Sequence, residues 1–222
     1  MDGGMGAAAP NHGESRLRRV RRLALTLLPV FGLTACAAQS SSSSNGWYDS
    51  QNGVIPRPER IYICHAFGCA RKTPFDLGRQ DLNRLQALLR AGAKSPAAER
   101  AAVARAVAWM ENRVAKQVGS QDDRGGLDLQ GSGVPGQMDC IDEATNTTSL
   151  LLLAEARGWL RHHSVRAPVA RGFLLDGRYP HATAVLREKG GKDFAIDSWP
   201  RANGLQPVVQ PLDDWFRSRA VS

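Results

Sequence analysis

Apolar positions recur at helical spacing in two early stretches. In residues 79–93, Leu82, Leu85, Leu88 and Leu89 fall on one face, which predicts an amphipathic helix. Ser95-Pro96-Ala97-Ala98-Glu99 then combines a capping residue, a proline at the first helical position and an acid in the first turn. It predicts a second helix reaching to about Val118, with Val103, Ala106, Val107, Met110 and Val114 on its inner face. Residues 119–136 lose this periodicity and are rich in Gly, Asp and Ser, so a long loop is expected, of the kind that often borders a site. A third helix is predicted from about Cys140 to Arg157, stopped by Gly158. Beyond it the period changes. RAPVARGFLLD, HATAVLREK and KDFAIDSW are β-branched and aromatic runs separated by glycines, and they predict strands joined by tight loops. Helices first and an antiparallel sheet afterwards define an α+β domain, helices packed on a sheet. Trp215 and Phe216 in the tail are expected packing anchors.

The N-terminus follows a different logic. Residues 16–22 read RLRRVRR and residues 23–33 read LALTLLPVFGL. Eleven uncharged residues are too few to span a bilayer, which takes about 20. They have the length of a signal-peptide core behind a basic region. Leu33-Thr34-Ala35-Cys36 resembles the lipobox of bacterial lipoproteins. The resemblance implies cleavage before Cys36, a palmitate-type lipid on the chain at that cysteine, and a body anchored to a membrane without spanning it. An ordinary signal peptide or a short buried helix is the alternative. Ala37, in place of an aspartate, implies the outer membrane of a bacterial envelope, facing the periplasm. The serine run that follows has nothing to bury and reads as a tether. The expected organisation is a signal peptide over 1–35, a lipidated tether over 36–53 and a domain over 54–222, with folding beginning between Trp47 and Ile61.

This division changes the meaning of the charge. The chain has 222 residues and a net charge of +8. Five arginines against Asp2 and Glu14 put +3 of that into residues 1–35, leaving +5 for the body. That excess is too mild to argue for nucleic acid as a partner.

Four cysteines remain to be assigned. With Cys36 lipidated, Cys64 and Cys69 sit close together around Gly68 in an exported chain, where disulfides persist. A disulfide is expected; a metal clip with His65 is the alternative, and it lacks a second ligand pair nearby. Cys140 is then left over. It follows Asp139, a candidate helix cap, and a helix N-terminus favours a thiolate. Asp139, Asp142 and Glu143 oppose that, so a cationic partner is needed. Of the histidines, His65 lies in the small loop, and His162 and His163 read as surface residues among arginines. His181 opens a strand, and the next strand carries Asp197 among apolar neighbours. A hairpin centred on Lys189 would set His181 directly opposite Asp197. A tight Gly190-Gly191 turn would pair Asp197 with Ala184 and put His181 on the other face.

Cysteine at a helix start, histidine opening a strand and aspartate on the following strand resemble the transglutaminase-like superfamily. That superfamily shares its kind of catalytic arrangement with papain-like enzymes. The motif Asp139-Cys140-Ile141-Asp142 is similar to that of bacterial transglutaminase-like cysteine proteinases, and His181–Leu186 is similar to their histidine strand. The resemblance covers about residues 97–200. It implies Cys140 as nucleophile, His181 as general base and Asp197 as its orienter, acting on a protein or peptide through a thioester. The Cys140 N–H, with Gln137 as a second candidate, would supply the oxyanion donors. Some members bind calcium through the residue after the cysteine; here it is Ile141, which argues against calcium, and no other cofactor is expected. Glu143 replaces an aromatic common at its position. Alternatives left open are a catalytically inactive binding lipoprotein, a transglutaminase and a peptidoglycan amidase.

Overall fold

Helix α4 (Cys140–Ala156) is wrapped by protein on nearly every side, and both sheets touch it. The computed structural model describes residues 44–172 and 180–218. The order of elements is α1 (Asn45–Ser50), β1 (Arg60–His65), β2 (Arg71–Asp76), α2 (Arg79–Arg90), α3 (Pro96–Val118), α4, β3 (His163–Arg171), β4 (His181–Glu188), β5 (Asp193–Asp197), β6 (Val208–Pro211) and α5 (Leu212–Arg217). Strands β1 and β2 form a hairpin; β3 to β6 form an antiparallel meander in chain order. The chain is thus α+β. The signal-like segment, Cys36 and residues 40–43 of the serine run lie outside the described residues.

The helices start and stop where side-chain chemistry requires. Ser95 Oγ accepts the Ala98 N–H at 3.2 Å and caps α3, and Gly119 ends it in a left-handed conformation. Asp139 caps α4 by accepting from the Ile141 and Asp142 N–H groups. Leu85 and Leu89 of α2 are buried against α3, with Leu82 and Leu88 at the margin of the same core. That core runs from Ile61 and Ile63 of β1 through α3 and α4 to Ala184, Leu186 and Ile196 of the meander.

Four elements were not expected from the pattern. Strand β2 carries Pro74 and mostly exposed side chains, as an edge strand can. Strand β6 and helices α1 and α5 are short, and each is held by tertiary contact. Helix α1 falls in the stretch read as tether; Trp47 and Tyr48 bury there, and their side chains bond Thr145 and Ser149 of α4. His163, expected at the surface, is buried: its Nδ1 lies 2.9 Å from Glu99 Oε1, and Glu99 also accepts the Arg161, His162 and His163 N–H groups. Glu99 therefore caps the entry to β3 from across the core.

Candidate active site

The disulfide and the nucleophile motif form one unit. Cys64 and Cys69 are joined. Between them the chain makes a left-handed turn: Ala66, Phe67, Gly68 and Cys69 all have positive φ, between 54° and 68°. Three of the four are not glycine, a conformation costing roughly 1–2 kcal/mol per residue. Carboxylates offset that cost. Asp142 accepts the Phe67 and Cys69 N–H groups at 2.8 and 2.7 Å, and Asp139 accepts Gly68 at 3.1 Å. Asn146, one turn further along α4, pairs with both backbone polar groups of Cys64. The two acids of the Asp-Cys-Ile-Asp run thus tie the start of α4 to the disulfide loop. Cys64, Cys69 and Asp142 lie close enough together to be considered as metal ligands, but both sulfurs are engaged in the disulfide.

Cys140 occupies the first position of α4. It packs in a small cluster with Trp47, Ala144, Ala182 and Trp199, and is 7% exposed. Its thiol donates to the Pro180 carbonyl at 3.8 Å. Burial, then the Asp139 charge, pushes the thiol up to about 12, partly countered by the Ala182 backbone N–H. The resting group is a thiol and needs a base to ionise it.

The histidine expected as its partner, His181, stands on β4. Strands β4 and β5 pair Ala184 with Ile196 and Arg187 with Asp193, so their hairpin is centred on Gly190. Glu188 donates to Lys192 O, and Gly191 turns with φ 93°. Continued by one step, this register sets Asp197 opposite Thr183. His181 is then two residues from the opposite position and on the same face, a diagonal pair. His181 Nε2 lies 2.6 Å from Asp197 Oδ2, and both side chains are buried. His181 Nδ1 has no hydrogen-bond partner among the described residues. Cys140, His181 and Asp197 are therefore gathered at one place: Cys140 clusters with Ala182 and Trp199, and the Trp199 ring lies 4.6 Å from that of His181.

Gln137 is placed by its backbone, which accepts from Ala66 and donates to Val134 O. No hydrogen bond involves its side chain among the described residues. The 119–136 loop borders this region. Gly126 N–H donates to Trp199 O and Gly133 N–H to Ala66 O, and Leu127, Leu129 and Val134 between and beside them are exposed. The loop ends meet: a Cβ on Gly136 would lie 2.0 Å from Gly119 O, so only glycine fits. His65, the other buried histidine near the loop, accepts from Gly136 N–H and meets Thr73 Oγ1, a bracing role.

Sequence reasoning missed two groups here. Trp215 donates its indole N–H to Asp197 Oδ2 at 2.8 Å. Ser198 donates to Glu143 Oε2 at 2.8 Å, linking the residue after Asp197 to the helix of Cys140. Glu143 is the residue that departs from the resembled motif, and a buried acid on a helix beside the nucleophile was the available signal. It shares with Glu111 a small cavity of about 20 Å³ lined also by Met138, Asn146 and Asn203, and the Asp123 charge acts on it from nearby. Burial raises all three carboxyls, Glu111 to about 8, Asp123 to about 7 and Glu143 well above its usual range.

Searches for similarity found no matching family model, no matching curated protein and no matching solved structure.

Proposed function

We propose that this chain is a lipid-anchored envelope protein whose body has a transglutaminase-like core and hydrolyses a peptide amide with Cys140, His181 and Asp197. The observation carrying the reading is the 2.6 Å contact of His181 Nε2 with Asp197, which leaves a buried, unpartnered Nδ1 on the ring beside the Cys140 cluster. In this reading the Cys140 proton passes to His181 Nδ1, and the thiolate attacks the substrate carbonyl. His181 returns the proton to the leaving amine, and water resolves the thioester. The Cys140 N–H, at a helix start where no intrahelical carbonyl reaches it, faces the developing oxyanion. No cofactor enters the scheme. The lipobox resemblance at Cys36 supports the anchor and the periplasmic face of the outer membrane.

The test is trapping of an acyl-enzyme on Cys140 by mass spectrometry after mixing with peptide thioester substrates. Cys140→Ala must abolish it. Added amine separates transfer from hydrolysis, and fragment release from cell-wall sacculi assigns the amide to peptidoglycan.

One observation favours a second reading, a binding protein without catalysis: Cys140 is buried and its thiol is held on Pro180 O. Absence of any Cys140-dependent acylation, with ligand capture retained, would select that reading.

A further inference from the structure

We propose that Trp215, on the C-terminal helix α5, is a positioning residue that determines which nitrogen of His181 is basic. The proposal rests on the catalytic reading given above. An indole N–H can only donate. Trp215 Nε1 meets Asp197 Oδ2 at 2.8 Å, the same oxygen that His181 Nε2 meets at 2.6 Å. With Trp215 donating to it, Oδ2 serves as an acceptor toward His181 as well. His181 Nε2 must then carry the proton, and the lone pair is left on Nδ1, the nitrogen without a partner among the described residues. Two donors converging on one oxygen also fix the carboxylate plane, since Asp197 Oδ1 is buried and has no partner there to hold an alternative rotation.

The ring adds a second constraint. Trp215 is 0% exposed and packs with Val169, Val185 and Ala195 behind the sheet, and its centroid lies 5.3 Å from that of His181. Packing alone would need no polar contact with the dyad. The charged and titratable groups placed about His181 are Asp197 from β5, Arg171 from β3 and, in the adjoining cluster, Cys140 at the start of α4. Arg171 is the cross-strand partner of His181, and its guanidinium lies over the Trp215 ring at 4.5 Å.

The experiment is the pH profile of Cys140 alkylation by iodoacetamide, read at that residue by mass spectrometry, in wild type, His181→Ala and Trp215→Phe. Phenylalanine keeps an aromatic ring and removes the N–H. A hydrogen bond to a charged group is worth enough to move a titration by about one pH unit. Trp215→Phe is expected to shift the profile by about that much. A Trp215→Phe profile that superposes on wild type, with only thermal stability reduced, overturns the proposal and leaves the catalytic reading intact. A His181→Ala profile identical to wild type removes both. A second measurement does not depend on the variant folding. In wild type, the Trp215 indole N–H resonance should titrate at the midpoint of the His181 ring resonances, and an indole resonance that stays flat through that midpoint overturns the proposal.

Discussion

His181 and Asp197 meet diagonally across β4 and β5, at 2.6 Å between Nε2 and Oδ2, because the hairpin that joins their strands is centred on Gly190. A shift of one residue in that turn would move His181 to the opposite face of the sheet. The pair predicts unequal effects of substitution. On the proposed mechanism His181→Ala removes the base, and it is expected to slow acylation of Cys140 at neutral pH by about 100-fold or more. Asp197→Asn keeps the shape but loses the charge that holds the tautomer, with an effect of about tenfold or greater. Rates of acyl-enzyme formation in the two variants check both.

Sequence pattern revealed α2 and α3 through their apolar periodicity, and α3 and α4 through their capping residues Ser95 and Asp139. It revealed β4 and β5 because they are short β-branched runs flanked by glycines. Strand β6 and helix α5 carry too few residues for either signal and exist only against the meander. The role of His163 was hidden because its partner Glu99 lies on α3 and nothing local announces the contact. Cys140, His181 and Asp197 were legible as residue types in a chain order. The turn was legible only as alternatives; the observed register is neither, yet it keeps His181 and Asp197 on one face. The indole of Trp215 was visible as an anchor, but its target was not.

The buried acids make stability fall with rising pH. Glu111, Asp123 and Glu143 have folded-state values above their unfolded ones. Between about pH 4 and about pH 8 these three groups therefore hold more protons in the folded chain than in the unfolded one, and through them raising the pH favours unfolding. Each fully linked proton contributes a slope of about 1.4 kcal/mol per pH unit. Urea midpoints across this range should decline, and Glu143→Gln, which can still accept from Ser198, should flatten the decline.

The disulfide closes a small loop, so its chain-entropy contribution is modest, about 2 kcal/mol. Cys64→Ser with Cys69→Ser should lower unfolding stability by about that amount. It should also change Cys140 alkylation, because the left-handed turn that Asp139 and Asp142 grip is no longer closed. A double variant with wild-type alkylation kinetics would separate the loop from the site.

Trp47 packs directly in the Cys140 cluster from α1. Trp47→Ala should destabilise the fold by about 3 kcal/mol, in the range for buried tryptophan truncation. It should also raise the rate of Cys140 alkylation several-fold by opening the thiol to solvent. Thermal unfolding and mass-resolved labelling measure the two effects on one sample.

The carboxylates of Asp139 and Asp142 each serve two masters: they begin the helix that presents Cys140 and they hold the backbone of an oxidised loop. Such a joint imposes an order of events on the life of the molecule. A newly made chain in a reducing compartment has open thiols at Cys64 and Cys69, and its left-handed turn has no covalent closure. Asp139 and Asp142 then stand beside Cys140 without the fixed donors of the closed loop. An oxidising space shuts the clasp and sets the helix start. The setting of Cys140 is thereby tied to the redox state of Cys64 and Cys69.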